Sequence, residues 1–507
     1  MFAPDAVRGL FVVMALLALP SGEASADIFD MPIVAEPLPE LRNPSRCESV
    51  AGCRDSDRSG RRHHGVVLDC SGRKRGAAHS LREAVRRVPV NGEILILGAP
   101  HGRTCIADGT VITKPLTIRP LDAIGSAYIE GRTTGSEPST DPHAERRASC
   151  LEVNLPVGDS LKIIGVNFVV RGGKLPCVKV LAGTVEVSRS RIDSRGTRWA
   201  FDVSNSGRLV LEDSKIETDG GGVHARRAVV EMRRVDIQLE RGRRGIGASL
   251  TGADGVVSEL SVIGGEVGLV ASSGSRGLLV ENPVISDAGV GIEVVGQAGQ
   301  GAVTIRGANI QRSIVGVWAR NNARLELLGG NIRQSEKVGI FIDNSGAIVR
   351  GMAHVDGGIY AVAISRYGTT PPVKTAPTPP VSKLCEGPPN WGDESEDGYQ
   401  GGAEGESCDY IGSLSAGLSR LDSRHSMSGV QMSDASPLGL IDIDQNTLGP
   451  AREAVIKLAE DAKIWQMVRI TNNILDCGKA SCISGKTRHV EDRGNRCTSS
   501  GWFGSCH

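Results

Sequence analysis

A chain of 507 residues with 58 basic and 58 acidic side chains, and so a formal net charge of zero, excludes bulk electrostatic attraction to nucleic acid as its organising principle. Glycine fills 65 positions while aromatic residues make up only 3%; the average glycine share is about 7%, so tight turns outweigh the side chains that build a globular aromatic core. The length exceeds that of one compact domain and allows a long core with appendages.

Residues 1–26 carry Arg8, an apolar run over 9–19, Pro20 and the small residues Ala24, Ser25 and Ala26, the pattern of a secretory signal peptide cleaved after Ala26. The run is too short to span a bilayer and no later stretch reaches about 18 apolar residues. No integral membrane segment is therefore expected after cleavage, and the expected destination is secreted, periplasmic or cell-surface. All twelve cysteines follow Ala26, which fits disulfides in an exported chain. Their spacing contains no Cys-x-x-Cys, and neither a metal nor another cofactor is expected. Residues 27–64 read as an N-terminal extension.

Residues 65–368 are a repeat. Phe168, Ile192, Ile216, Ile237, Ile263, Ile285, Ile310, Ile332 and Val355 recur at separations of 24, 24, 21, 26, 22, 25, 22 and 23, the period of a solenoid unit. Each unit holds three short alternating segments with glycine or polar residues between them, as in Ala302-Val303-Thr304-Ile305, Ala308-Asn309-Ile310 and Gly316-Val317-Trp318-Ala319. Alternation marks strands with one face inside. Three strands per turn, each pairing with its counterpart in the next coil, make a parallel β-helix. Ahead of the regular coils, Ser80 and Glu83 form a capping box, and Leu81, Ala84, Val85 and Val88 share one helical face. That helix is expected to cap the open end of the solenoid. Cys150 and Cys177 lie about one coil apart; strands stacked about 4.8 Å apart bring their Cα atoms within disulfide range, and a bond between them is expected.

The order Ser80-Leu81-Arg82-Glu83-Ala84-Val85, then Gly92-Glu93-Ile94, Gly98 and Leu116-Thr117-Ile118 resembles the opening of pectin-lyase-like right-handed β-helix proteins. The resemblance covers about 300 residues as architecture and about 40 as motif. It implies work on polysaccharides, often acidic ones, by lyases, hydrolases, esterases or epimerases, although a fold alone grants none of these activities. The polygalacturonase and pectate lyase signatures are missing. Asp141-Pro142-His143 resembles a motif of alginate C5-epimerases, departing from it at Ala144.

The third strand of each coil offers a site. Alternation places Phe201, Val223, Ile246, Leu269, Ile292, Val317, Ile340 and Ile359 inside, and Asp202, His224, Gly247, Val270, Glu293, Trp318, Phe341 and Tyr360 outside. A second outward row runs through Ser204, Arg226, Ser249, Ser272, Val295, Arg320 and Asp343. Asp202, His224 and Arg226 are the candidate catalytic set, because a carboxylate orients an imidazole for general-base work and an arginine neutralises a uronate carboxylate. Arg195 and Arg198, on the loop before, are expected to bind substrate with Glu293, Arg320 and Asp343; Trp318, Phe341 and Tyr360 would stack on sugar rings. The alternative for the aromatic residues is a covered contact surface. Residues 161–250 hold 17 basic against 10 acidic side chains, a field that favours a polyanion, and acidic polysaccharide is the expected partner.

Residues 369–383 read as a Pro- and Thr-rich linker. Residues 384–507 read as an acidic, partly disordered, cysteine-containing region that could contact a protein partner; 383–465 holds 15 acids against 6 bases. A helix is expected over 452–468, with Val455, Leu458, Ala459, Ala462 and Trp465 on one face. The last thirty residues, with Cys477, Cys482, Cys497 and Cys506, look like a disulfide-stapled module. The expected fold is thus all-β, a right-handed parallel β-helix of ten or more coils with an N-terminal capping helix and a small α/irregular C-terminal domain. Two functions are expected from it: a lyase or epimerase of acidic polysaccharide, or a noncatalytic surface or matrix-binding protein.

Overall fold

A strand of five residues buries one face, and in a chain that returns every two dozen residues that face is closed most simply by the chain itself. The computed structural model describes residues 65–365 and 440–505 apart from 72–73, 98–103, 108, 122–126, 132–148, 172–174, 241–243, 297–300, 459–467, 486–489 and 500–501. The expected signal peptide, extension over 27–64 and linker and residues 384–439 lie outside this range, as do Asp141 and His143. In the described residues the strands stack as a parallel β-solenoid of about 13 turns, with three faces met in the order first, second, third along each coil.

The first face begins with Gly65–Leu68, Gly92–Ile96, Leu116–Pro120 and Ser160–Ile164, each hydrogen-bonded in parallel to the next. Longer strands such as Val178–Ser188 and Trp199–Thr218 pass through corners and serve more than one face. On the second face, Ile129, Phe168, Ile192, Ile216, Ile237, Val262, Ile285, Ile310 and Ile332 stack one above another, and all are withdrawn from solvent. Each contributes roughly 1.5–3 kcal/mol by leaving water. One residue of the expected series is shifted: Val262 is inside, while Ile263 is 40% exposed.

Corners are made by single residues in the left-handed region. Between the first and second faces they include Arg189, Asp213, Arg234, Glu259, Asn282, Gln445 and Asn472, with φ of 49–56°. A left-handed conformation costs a non-glycine residue roughly 1–2 kcal/mol, and contacts between coils offset it. Arg234 donates to Asp213, the corner residue of the coil before, and to Glu212. Just after the corners of the last coils, Asn446 Nδ2 donates to Asn473 Oδ1 at 3.0 Å and Asn473 Nδ2 to Asn495 Oδ1 at 2.9 Å. Each of these asparagines also donates to a main-chain carbonyl, so the buried amides are satisfied.

The N-cap at the N-terminal end forms as the sequence requires, with the Glu83 carboxylate reaching one residue beyond the cap. Ser80 accepts from the Glu83 amide, the helix Leu81–Arg87 buries Leu81, Ala84 and Val85, and Glu83 accepts from the His79 amide. The C-terminal region departs from expectation. Ile441–Asp444 pairs in register with Gly346–Val355, and Ala454–Leu458 with Tyr360–Ser365. Val468–Thr471, Ile474–Asp476 and Ser481–Ser484 add a further coil. The solenoid therefore resumes after residue 440 where an α/irregular domain was expected, and residues 366–439 are an insertion between its third and first faces. The helix expected over 452–468 is corrected at its start: Ala454, Val455, Ile456 and Leu458 are buried strand residues. The apolar run fits both periods, and the free edge of Tyr360–Ser365 supplies a hydrogen-bonding partner that outweighs helical propensity.

A row of glycines shapes the third face. Gly222, Gly247, Gly268, Gly291, Gly316 and Gly339 follow each other at coil spacing; a Cβ on Gly291 would lie 2.5 Å from the Gly316 carbonyl oxygen and 2.6 Å from Ile310 Cγ2. These positions have no room for a side chain because the second-face isoleucines and valines already fill the corner. The strand bends there, and Val315 and Trp318 then join one outer cluster while Val317 and Ala319 join the core.

Candidate functional site: the third face

The register of the third face sets which outward residues are neighbours. Lys179, Asp202, His224, Ser249, Val270, Glu293, Trp318, Phe341, Ala363 and Lys457 form one row. Beside it, Ser204, Arg226, Thr251 and Ser272 form another. Five expected positions move. Ala248 and Val362 take the inward places assigned to Ile246 and Ile359, Ser249 and Thr251 stand where Gly247 and Ser249 were expected, and Tyr360 pairs with Val338 instead of Phe341. The bend in this strand breaks the simple alternation.

Asp202 and His224 meet. His224 Nδ1 lies 2.8 Å from Asp202 Oδ1, and both side chains are about three-quarters buried, with 21% and 27% exposure. An ionised carboxylate only accepts, so Nδ1 carries the proton in this hydrogen bond. In the neutral imidazole Nε2 then holds a lone pair, the form of a general base. Trp199 lies on the other side of the ring, with centroids 4.9 Å apart and planes inclined by 19°. Arg226 and Arg198 are exposed, and neither they nor Lys179 form an ion pair among the described residues. Lys179 and Trp199 belong to this cluster and were missed: Lys179 appears only when the preceding coil is set in register, and Trp199 reaches the imidazole across a coil boundary.

The other expected substrate ligands lie elsewhere or are engaged. Arg195 ends a second-face strand and pairs with Asp193 at 3.2 Å and more distantly with Glu217. Burial alone pushes the Glu217 pKa up, but hydrogen bonds from Arg191 and Lys215 overcome it and hold the carboxyl below its usual range. Glu293 is buried and accepts from Arg320, whose guanidinium stands 5.2 Å from the Trp318 ring centre. Asp343 accepts from Ser365 Oγ at 2.9 Å.

The expected aromatic ladder is corrected most. Trp318 is 2% exposed, Phe341 0% and Tyr360 3%. With Val267, Val290, Val315, Val338, Ala363 and Ala454 they form an outer apolar cluster separate from the core. Trp318 and Phe341 stack at 5.9 Å, and the Tyr360 hydroxyl donates to Glu453 at 2.6 Å. These rings pack on one another and on stacked valines, so they present no open face for sugars.

Cys150 and Cys177 are bonded, with Cα atoms 4.7 Å apart. Cys70–Cys105 and Cys477–Cys482 are also disulfides. Cys477, Cys482 and Cys497 are the group of metal-ligand type among the described residues, and the bond between the first two takes up their sulfurs. No helix among the described residues is long and apolar enough to cross a membrane.

Three faces of stacked parallel strands, alternating side chains and corner ladders decide the architecture. The chain is a parallel β-helix. No protein-family model matches the sequence of this β-helix, and no curated protein does. Among solved structures it is similar to the catalytic domain of a GH87 α-1,3-glucanase in complex with nigerose, at 11% identity over 86% of this chain and 69% of that one, with a TM-score of 0.46. It is also similar to an alginate lyase from Paenibacillus sp. str. FPU-7, at 14% identity over 60% and 98%, with a TM-score of 0.36. At such identities and scores the likenesses carry no argument about the chemistry of the β-helix.

Proposed function

We propose that the polar part of the third face, from Lys179 to Ser272, binds an acidic polysaccharide outside the cell, and that His224 acts there as the base of a lyase or epimerase. The observation that carries this reading is the 2.8 Å hydrogen bond that fixes Nδ1 of His224 on Asp202 and leaves Nε2 to accept a proton. Arg226 and Arg198 supply positive charge for a uronate carboxylate, and neutralising that carboxylate makes the neighbouring C5 proton more acidic. In elimination, Nε2 takes this proton, the C–H electron pair becomes the C4–C5 double bond, and the C4–O bond breaks, its oxygen leaving to take a proton from water. Coils about 4.8 Å apart present successive side chains at about the repeat of successive sugars. Three disulfides fit an oxidising compartment, in line with a signal peptide over residues 1–26.

A noncatalytic glycan-binding protein is the second reading, favoured by the closed aromatic cluster, which removes three of the eight expected substrate-binding residues. The two separate by incubating the purified chain with pectate, alginate and other uronate polymers, and following ultraviolet absorbance of unsaturated product together with reducing ends. The enzyme reading expects turnover that falls about 100-fold or more in His224→Ala. Binding without product, unchanged by that substitution, would replace it with the second reading.

A further inference from the structure

We infer that Trp199 is the positioning residue of the His224 imidazole and that Gly221 exists to let it reach; this rests on the proposed role of His224 as a base. The hydrogen bond to Asp202 fixes the direction of Nδ1 but leaves the ring free to tilt about that bond. A second contact is needed to fix the plane, and the indole of Trp199 supplies it.

The geometry is a diagonal between neighbouring coils. Trp199 pairs in register with Gly221, as Asp202 does with His224, so the indole has to cross from its own coil to lie against a ring three residues beyond its partner. Aromatic side chains span such diagonals, provided nothing stands between. A Cβ on Gly221 would lie 2.0 Å from Trp199 Cε3 and 2.2 Å from Cζ3, so any other residue there would drive the indole off the strand. Gly221 also has an ordinary negative φ, since it is absent from the left-handed glycines; the close approach, and not the backbone conformation, is what demands glycine. Trp199, Gly221, Asp202 and His224 thus form one device spread over two coils.

The test compares the full-length chain with Trp199→Ala, Trp199→Phe and Gly221→Ala, each labelled with 15N-histidine, the His224 signals being assigned by their loss in His224→Ala. In the parent protein the ring protons of His224 are expected upfield, shifted by the indole, and its nitrogens in the Nδ1–H form. Trp199→Ala and Gly221→Ala are expected to lose the upfield shift and to show a more mobile His224 ring in nuclear relaxation, with the Nδ1–H form kept by Asp202, while Trp199→Phe keeps the ring fixed. On whichever uronate polymer the parent turns over, kcat is expected to fall about 10-fold in the first two variants with KM unchanged, because misplacement of a reacting group acts on the chemical step. A His224 ring as rigid in Trp199→Ala as in the parent would overturn the inference. If the parent turns over no glycan, the nuclear magnetic resonance comparison still decides the role of Trp199, and the failure falls on the proposed chemistry alone.

Discussion

An aromatic side chain on the outside of a β-helix can meet a ligand or meet its own neighbours, and burial distinguishes the two. Trp318 has neighbours on three sides: Phe341 stacked in the next coil, Arg320 over its ring, and the valine row beside it. Removing a buried ring of this size leaves a cavity, and such truncations cost about 3–5 kcal/mol. Trp318→Ala is therefore expected to lower stability by about 3 kcal/mol in urea unfolding and to leave glycan binding at Asp202, His224 and Arg226 unchanged. The row places Trp318 four coils beyond His224, about 19 Å at the usual strand spacing. Weakened binding with unchanged stability would return Trp318 to the sugar-stacking role that its position in the sequence implies.

At the scale of strands, the sequence was legible where a single period governs. The second face repeats one inward residue per coil with polar neighbours, so Phe168, Ile192, Ile216 and Ile237 stand out at one period in the sequence. Ile263 misled because Val262 beside it is equally apolar. The third face was harder, since Ile314, Val315 and Val317 are apolar in succession and only the bend at Gly316 separates outer cluster from core. For the same reason Asp202 and His224 could be brought together from the sequence, lying as they do before the bends compound, while Tyr360 could not. The insertion over 366–439 hid the last coils by interrupting the period. The glycine row itself carries a prediction. Gly291→Ala puts a methyl group against the Gly316 carbonyl and Ile310, and overpacking of this kind costs about 1–3 kcal/mol. A fall in the urea midpoint with no change in slope is the expected outcome; an unchanged midpoint would mean that the strand can bend at this corner without glycine.

The described coils form a one-dimensional stack in which each coil gains most of its stability from the two beside it. Interior coils have two such neighbours and terminal coils one, so unfolding should start at the ends. The disulfides are placed accordingly: Cys70–Cys105 and Cys150–Cys177 join early coils, Cys477–Cys482 lies in the last ones, and the described coils between Val178 and Ser365 carry none. Cys150 and Cys177 close a sequence separation of 27, for which chain entropy gives about 3 kcal/mol. In a globule that stabilisation would be shared by every residue. In a stack it should stay local, because coils several steps away do not sense whether the early ones are open. Hydrogen exchange on Cys150→Ser/Cys177→Ser tests this directly. Protection is expected to fall in the strands Leu151–Asn154, Ser160–Ile164 and Val178–Ser188 and to persist in Val315–Arg320 and Val338–Asp343. A uniform loss across both groups would show that the solenoid unfolds as one cooperative unit, and the disulfides would then stabilise the whole chain and not its ends.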